Sequence, residues 1–169
     1  MKKILLLSIL LWTGWVSAQA IDLDKENRDP KYVESIVSRS QKIVDKLGIN
    51  DAKVAEDVRN VIANRYFTLN DIYETRDAKV KEIKESDLVG EAKNNALKAA
   101  EDAKDAALYR IHFAFPADLS LFLTEEQIEA VKDGMTYGVL KITYDSHLDM
   151  IPSLKKEEKA QIYAWLKEA

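Results

Sequence analysis

The stretch from Asp51 to Asp87 most constrains the fold of this chain, because it contains neither glycine nor proline. Apolar residues recur in it at helical spacing, among them Val54, Val58 and Val61, which predicts one amphipathic helix. At about 1.5 Å per residue the helix is about 50 Å long, unless Asn70-Asp71 restarts it. A helix of this length needs neighbours that cover its apolar face, which favours a helical bundle.

Capping signals predict further helices on both sides of this stretch. Asp29-Pro30 is typical of a helix start, with aspartate as the N-cap and proline at the first helical position. Thr124 and Gln127 have the spacing of a capping box, in which each side chain bonds to the backbone of the other. Gly134 is predicted to end that helix with a positive φ. The last helix is predicted from about Ser153 onwards.

A second long helix is predicted after the turn at Ser86–Gly90. Alanines recur along it, and small residues let a neighbouring helix approach closely. The expected neighbour is the preceding helix, so the two form a long αα-hairpin. The sequence therefore predicts an all-α fold, a bundle of about five helices built around this hairpin. The recurring alanines are Ala92, Ala96, Ala99, Ala103, Ala106 and Ala107.

The first twenty residues have the pattern of a secretory signal peptide. Lys2-Lys3 gives a basic start, Ile4–Leu11 is apolar, and residues 16–20 have small side chains at cleavage-compatible spacing. Cleavage after Ala18 and cleavage after Ala20 both fit this pattern. The apolar run is too short to span a bilayer, which takes about 20 residues. The expected location is therefore periplasmic or secreted, with membrane contact only through the signal peptide during export.

The predicted organisation is a signal peptide at 1–20, a mobile lead-in at 21–28 and a single helical domain at 29–169. Trp165 shares a face of the last helix with other apolar residues, which favours a core position over a sugar-stacking platform. The helical pattern is still open at Ala169, so we expect a longer natural chain. In that case the 169-residue form exposes apolar surface near Trp165.

Charge and cysteine content exclude several classes of function. Without the two lysines of the signal peptide, 23 basic residues face 29 acidic ones, a net charge of −6. A chain of this charge without a basic stripe is a poor binder of nucleic acid or of anionic membranes. The chain has no cysteine, which excludes thiol chemistry and cysteine-ligated metals.

The histidines and their neighbours predict neither a catalytic group nor a metal site. His112 lies among apolar residues and is predicted to be a packed or half-buried structural histidine. Asp145, His147 and Asp149 are possible metal ligands, but on a helix His147 points away from the two carboxylates. A solvated polar face is the favoured interpretation. Since no nucleophile constellation stands out, we predict no catalytic residue and no cofactor, and a binding protein rather than an enzyme.

The string DGMTYG, Asp133–Gly138, breaks an otherwise helical chain. Tyr137 lies between two glycines on irregular backbone, where ligand contacts are common. The alternative is a turn tyrosine that packs over a helix end. The candidate ligand-binding residues are Asp133, Tyr137 and Tyr144.

Four strings of the sequence resemble a known family. They are Ile62–Ile72, Leu123–Gln127, Val131–Tyr137 and Leu148–Pro152. They are similar to the secreted Bacteroidetes family labelled domain of unknown function 3826, from about Asp29 to the end of the chain. The resemblance implies a small exported protein, proposed as sugar-binding, from bacteria that dismantle polysaccharides, and it implies no catalytic residues. Members of that family continue with a stretch rich in His, Trp, Phe, Lys and Arg.

The sequence therefore predicts an exported helical protein that binds carbohydrate or assists a polysaccharide-utilisation system. The alternative is a chaperone-like or adaptor protein that binds polypeptide along its hairpin, because Leu123–Gln127 is also similar to a motif of periplasmic helical stress chaperones. A concave surface lined by Tyr137, Tyr144 and Asp or Asn side chains would favour the first interpretation. A long exposed apolar groove would favour the second. The oligomeric state stays open.

Overall fold

Helices dominate the computed structural model, which describes residues 20–168. This part of the chain has seven helices and no strand, which confirms the predicted all-α bundle. The helices are α1 (Pro30–Val44), α2 (Ala52–Glu85), α3 (Gly90–His112), α4 (Ala114–Leu119), α5 (Glu125–Met135), α6 (Val139–Met150) and α7 (Lys156–Glu168). The count exceeds five because the short α4 follows α3 directly and α6 is a complete helix. None of the helices in residues 20–168 is long and apolar enough to cross a bilayer.

The long helix α2 is continuous over 34 residues, with no restart at Asn70-Asp71. Asp51 caps it, because its carboxylate accepts hydrogen bonds from the backbone N–H groups of Lys53 and Val54. After a short turn, α3 packs back along α2 and forms the predicted αα-hairpin.

The core lies at one end of this hairpin. The main core joins α1, the first half of α2, α4 and α5, and a second cluster lies where Phe67 meets α1. Within the described residues, the hairpin beyond Phe67 has only Ile83 and Ala100 as buried apolar residues. The main core consists of Ile43, Val44, Leu47, Val58, Val61, Ile62, Phe115, Leu119, Leu123 and Val131.

Residues 21–28, predicted as a mobile lead-in, lie along α2 and make specific contacts. Ile21 packs against the main core and Leu23 against the second cluster. The Arg28 guanidinium bonds both carboxylate oxygens of Asp71 at 2.7 Å and lies over the Phe67 ring at 4.6 Å. The segment is charged and aperiodic, so periodicity alone does not reveal these contacts.

The structure corrects three predictions about single residues. Gly134 lies inside α5, and the positive φ values belong to Tyr137 and Gly138 instead. His112 is exposed at the end of α3, with its ring edge-on to Phe113, and is not packed. Trp165 is 63% exposed, so the predicted core position is wrong, whereas the expected apolar surface near it is present.

Candidate ligand-binding site

A tight turn connects α5 and α6, two of the helices that line the candidate site. Tyr137 and Gly138 adopt left-handed conformations with φ of 56° and 74°. The Gly138 N–H donates to the Asp133 carbonyl at 2.9 Å, and the Thr136 N–H donates to the Lys132 carbonyl at 3.1 Å. These bonds satisfy the last carbonyls of α5 and let α6 begin at once. The irregular backbone predicted for DGMTYG is thus confined to its last three residues, Thr136, Tyr137 and Gly138.

An open cavity of about 550 Å³ lies between α5, α6 and α7. We call it the C-terminal cavity. Tyr144 and Tyr163 pack edge-to-face in it, with ring centroids 5.1 Å apart and an interplanar angle of 77°. Tyr163 is 45% exposed, so part of its ring is free to meet a ligand. The lining residues are Glu129, Ala130, Asp133, Leu140, Lys141, Tyr144, Asp145 and Tyr163.

Charged groups of both signs surround the tyrosine pair. The Lys141 ammonium donates to the Asp145 carboxylate one turn along α6, and this bond raises the pKa of Lys141. Glu129 lies 3.5 Å from both Lys132 Nζ and Lys167 Nζ, which links α5 to α7. In the described residues no group of three His, Cys, Asp or Glu side chains is placed to hold a metal ion. The cavity therefore offers hydrogen-bond donors, hydrogen-bond acceptors and aromatic surface.

The three predicted ligand-binding residues do not meet in one place. Asp133 and Tyr144 line the C-terminal cavity, and Asp133 also borders an adjoining cavity of about 310 Å³. Tyr137 does not line either cavity. Its ring is 69% exposed and lies 5.8 Å from the guanidinium of Arg39, which also contacts the Tyr66 ring at 5.6 Å. From the turn, Tyr137 thus approaches α1 and not the C-terminal cavity, and its role as a ligand contact stays a prediction.

Two residues of the cavity carried no signal as ligand contacts in the sequence. Tyr163 meets Tyr144 only because α7 folds back on α6. Lys141 lies in a segment without a recognisable motif. The sequence presents Asp145 as a possible metal ligand and not as a contact for a sugar. The helical spacing of Lys141, Tyr144 and Asp145 is the one available clue, since residues three and four apart share a helix face.

Comparison with known proteins relates the chain to a family. No curated protein matches the chain. The model of a family described as protein of unknown function (DUF3826) matches residues 33–169, which is more than half of the chain. These residues include all of α2 to α7 and therefore every residue that lines the C-terminal cavity. The chain belongs to this family of proteins of unknown function.

Proposed function

We propose that the protein is an exported carbohydrate-binding protein and that the C-terminal cavity is its binding site. The observation that supports this proposal is the meeting of Asp133, Tyr144 and Tyr163 from three different helices around one cavity. Its volume of about 550 Å³ falls in the range of small-molecule sites, about 300–1,000 Å³. We assign binding to the cavity and no reaction.

The chemistry of the lining suits a sugar. A sugar ring presents C–H groups on its faces and hydroxyl groups at its edge. Tyrosine offers an apolar ring face for the former and a hydroxyl for the latter. The carboxylates of Asp133 and Asp145 accept hydrogen bonds from sugar hydroxyls, and the ammonium of Lys141 donates to them.

Export supports the same proposal. The first twenty residues have the pattern of a signal peptide, which would deliver the protein to the periplasm or the outside of the cell. The strings of sequence that resemble secreted Bacteroidetes proteins fit a role beside polysaccharide-degrading systems.

Calorimetric titration of the protein with a panel of soluble oligosaccharides tests the proposal. We expect at least one oligosaccharide to bind. Tyr163→Ala should weaken that binding about tenfold, because the variant loses the ring face that packs on the sugar, and a loss of about 1.4 kcal/mol is a factor of ten in Kd. Tyr109→Ala is the matched control, since Tyr109 is 71% exposed on α3 away from the cavity. If no oligosaccharide binds, or if both variants bind equally well, the proposal is wrong.

A groove on the α2–α3 hairpin favours a second candidate, the binding of polypeptide. The groove has a volume of about 590 Å³, a floor of alanine and isoleucine, and a charged rim formed by residues such as Arg76 and Glu82. An apolar strip between charged edges suits an extended or helical peptide. Suppression of aggregation of a denatured client protein tests this function. Ala103→Glu in the groove should abolish the effect, and Ala92→Glu outside it should not.

A further inference from the structure

The segment that precedes α1 is held by a row of polar side chains on α2. Asn64 Oδ1 accepts from the Asp24 N–H at 2.9 Å, and Asn64 Nδ2 donates to the Asp22 carbonyl at 2.8 Å. One turn earlier on α2, Asn60 Nδ2 donates to the Ile21 carbonyl at 2.7 Å. The row therefore fixes the backbone position of this segment from Ile21 onwards.

At the start of this row, the buried carboxylate of Asp57 accepts a hydrogen bond from the backbone N–H of Ile21. Asp57 is 3% exposed, and its Oδ1 lies 2.9 Å from Ile21 N. The Ile21 side chain packs against the main core. Ile21 is thus held at its nitrogen, its carbonyl oxygen and its side chain, whereas Ala20 is exposed.

The charge of Asp57 has only one cationic side chain as a partner in the described contacts. Lys53 Nζ lies 3.4 Å from Asp57 Oδ2, and the lysine side chain is 60% exposed. A buried carboxylate needs a close cation and well-aligned donors to offset its loss of hydration. Asp57 Oδ1 accepts a hydrogen bond from the nitrogen of Ile21, which carries a positive charge only if Ile21 is the first residue of the chain.

We propose that the signal peptide is removed by hydrolysis of the Ala20–Ile21 peptide bond, and that the new α-ammonium group of Ile21 forms an ion pair with buried Asp57. Water adds across the C–N bond, so that Ala20 leaves as a carboxylate and Ile21 gains an amino group. An α-amino group is mostly protonated at pH 7. Ala18 and Ala20 provide the small residues that a signal peptidase requires. The proposal rests on the proposed export of the protein and selects one of the two cleavage positions that the sequence allows.

Two features of the structure favour this position over cleavage after Ala18. In a chain that begins at Gln19, the Ile21 nitrogen at Asp57 Oδ1 is a neutral peptide N–H. In a chain that begins at Ile21, the same nitrogen is a charged ammonium group with three N–H donors. Within the described residues, which begin at Ala20, the contacts of the segment also start at Ile21, whose side chain and carbonyl are both held by the fold. Processing at Ala20 therefore completes a buried ion pair that the unprocessed chain lacks.

Mass spectrometry of the exported protein tests the cleavage position. The full 169-residue chain is expressed with its own signal peptide in a Gram-negative host, and the N-terminus of the periplasmic or secreted product is determined. We expect Ile21 as the first residue. A product that begins at Gln19, or an uncleaved chain, overturns the proposal. An uncleaved chain that stays inside the cell also contradicts the proposed function, whereas an exported chain that begins at Gln19 contradicts only this inference.

A comparison of two N-termini tests the ion pair. Chains that begin at Ile21 and at Gln19 are prepared from cleavable fusions, each with Asp57 and with Asp57→Asn. We expect Asp57→Asn to lower the Tm of the Ile21 form by about 5 °C or more beyond its effect on the Gln19 form. Equal losses in the two forms overturn the ion pair. If Asp57→Asn does not fold, the Ile21 and Gln19 forms that keep Asp57 are compared with each other. The Ile21 form should then have the higher Tm. An equal or lower Tm of the Ile21 form overturns the proposal.

Discussion

The missing side chain of Gly134 lets α5 approach α1 closely. A Cβ built at this position would lie 3.2 Å from both Cγ atoms of Ile43, which is buried in the main core. A glycine inside a helix costs roughly 0.5–1 kcal/mol relative to alanine. The close packing of α5 on α1 offsets this cost, so the residue serves helix contact and not helix termination.

Gly134→Ala should therefore destabilise the fold by about 1 kcal/mol, although alanine is the better helix former. The urea midpoint of unfolding measures the loss. The control is the same Gly134→Ala substitution in an Ile43→Ala variant, which lacks all three of the side-chain atoms near the new methyl group. In that background Gly134→Ala should be neutral or stabilising. An equal loss in both backgrounds would contradict the steric explanation.

Thr124 makes the predicted capping box at the start of α5. The Gln127 N–H donates to Thr124 Oγ1 at 3.3 Å, and the Thr124 N–H donates to Gln127 Oε1 at 3.0 Å. We expect Thr124→Ala to cost about 1 kcal/mol and Thr124→Ser to cost little, because serine keeps the accepting oxygen. Chemical denaturation checks both variants, and an alanine variant with the parent's urea midpoint would show that the cap does not contribute.

At the scale of the elements, the far half of the α2–α3 hairpin depends on small residues and on ion pairs. Ala100 is 7% exposed between the two helices. Glu101 on α3 accepts from Arg76 on α2 at 2.7 Å and from Lys104 at 2.8 Å. Such ion pairs at the surface add little stability, so the alanine contact sets the spacing of the two helices.

Ala100→Leu should separate α2 from α3 and destabilise the protein by about 1–3 kcal/mol, because a larger side chain overfills the contact. Ala92→Leu is the control, since Ala92 is exposed on the same helix. Thermal unfolding followed by circular dichroism compares the two variants. Equal stability of the two would mean that the hairpin does not pack through Ala100.

The contact of the N-terminal segment with α2 should respond to acid. The hydrogen bonds from Arg28 lower the pKa of Asp71 below its ordinary value of 3.8. This lowering stabilises the fold above that value, and the contribution disappears as the pH falls through the lower pKa of the folded state. Asp71→Asn should therefore have a lower Tm than the parent at pH 6, and the difference should shrink towards pH 2.5. A difference that does not change with pH would contradict the role of this carboxylate.

At the scale of the whole molecule, local and long-range features differ in how far the sequence predicts them. The caps at Asp29 and Thr124 depend on residues within one turn, and both were predicted. The meeting of Tyr144 with Tyr163 depends on how α7 folds back, which no local pattern encodes. The polar row on α2 was missed for the same reason, since its partners lie about 40 residues earlier in the chain.

At the same scale, the fluorescence emission of Trp165 on α7 reports how much apolar surface the molecule exposes. Trp165 is 63% exposed, and it is the one tryptophan that follows the predicted signal peptide. In the chain that begins at Ile21, we expect red-shifted emission, strong quenching by acrylamide and little further shift on unfolding in urea. Ile142 and Met150 on α6 are also 62% and 69% exposed, and exposed apolar side chains favour association. The emission should therefore move to the blue as the protein concentration rises. Emission that is blue-shifted and protected from acrylamide at the lowest concentration would show that Trp165 is buried within the monomer and would contradict the exposed position.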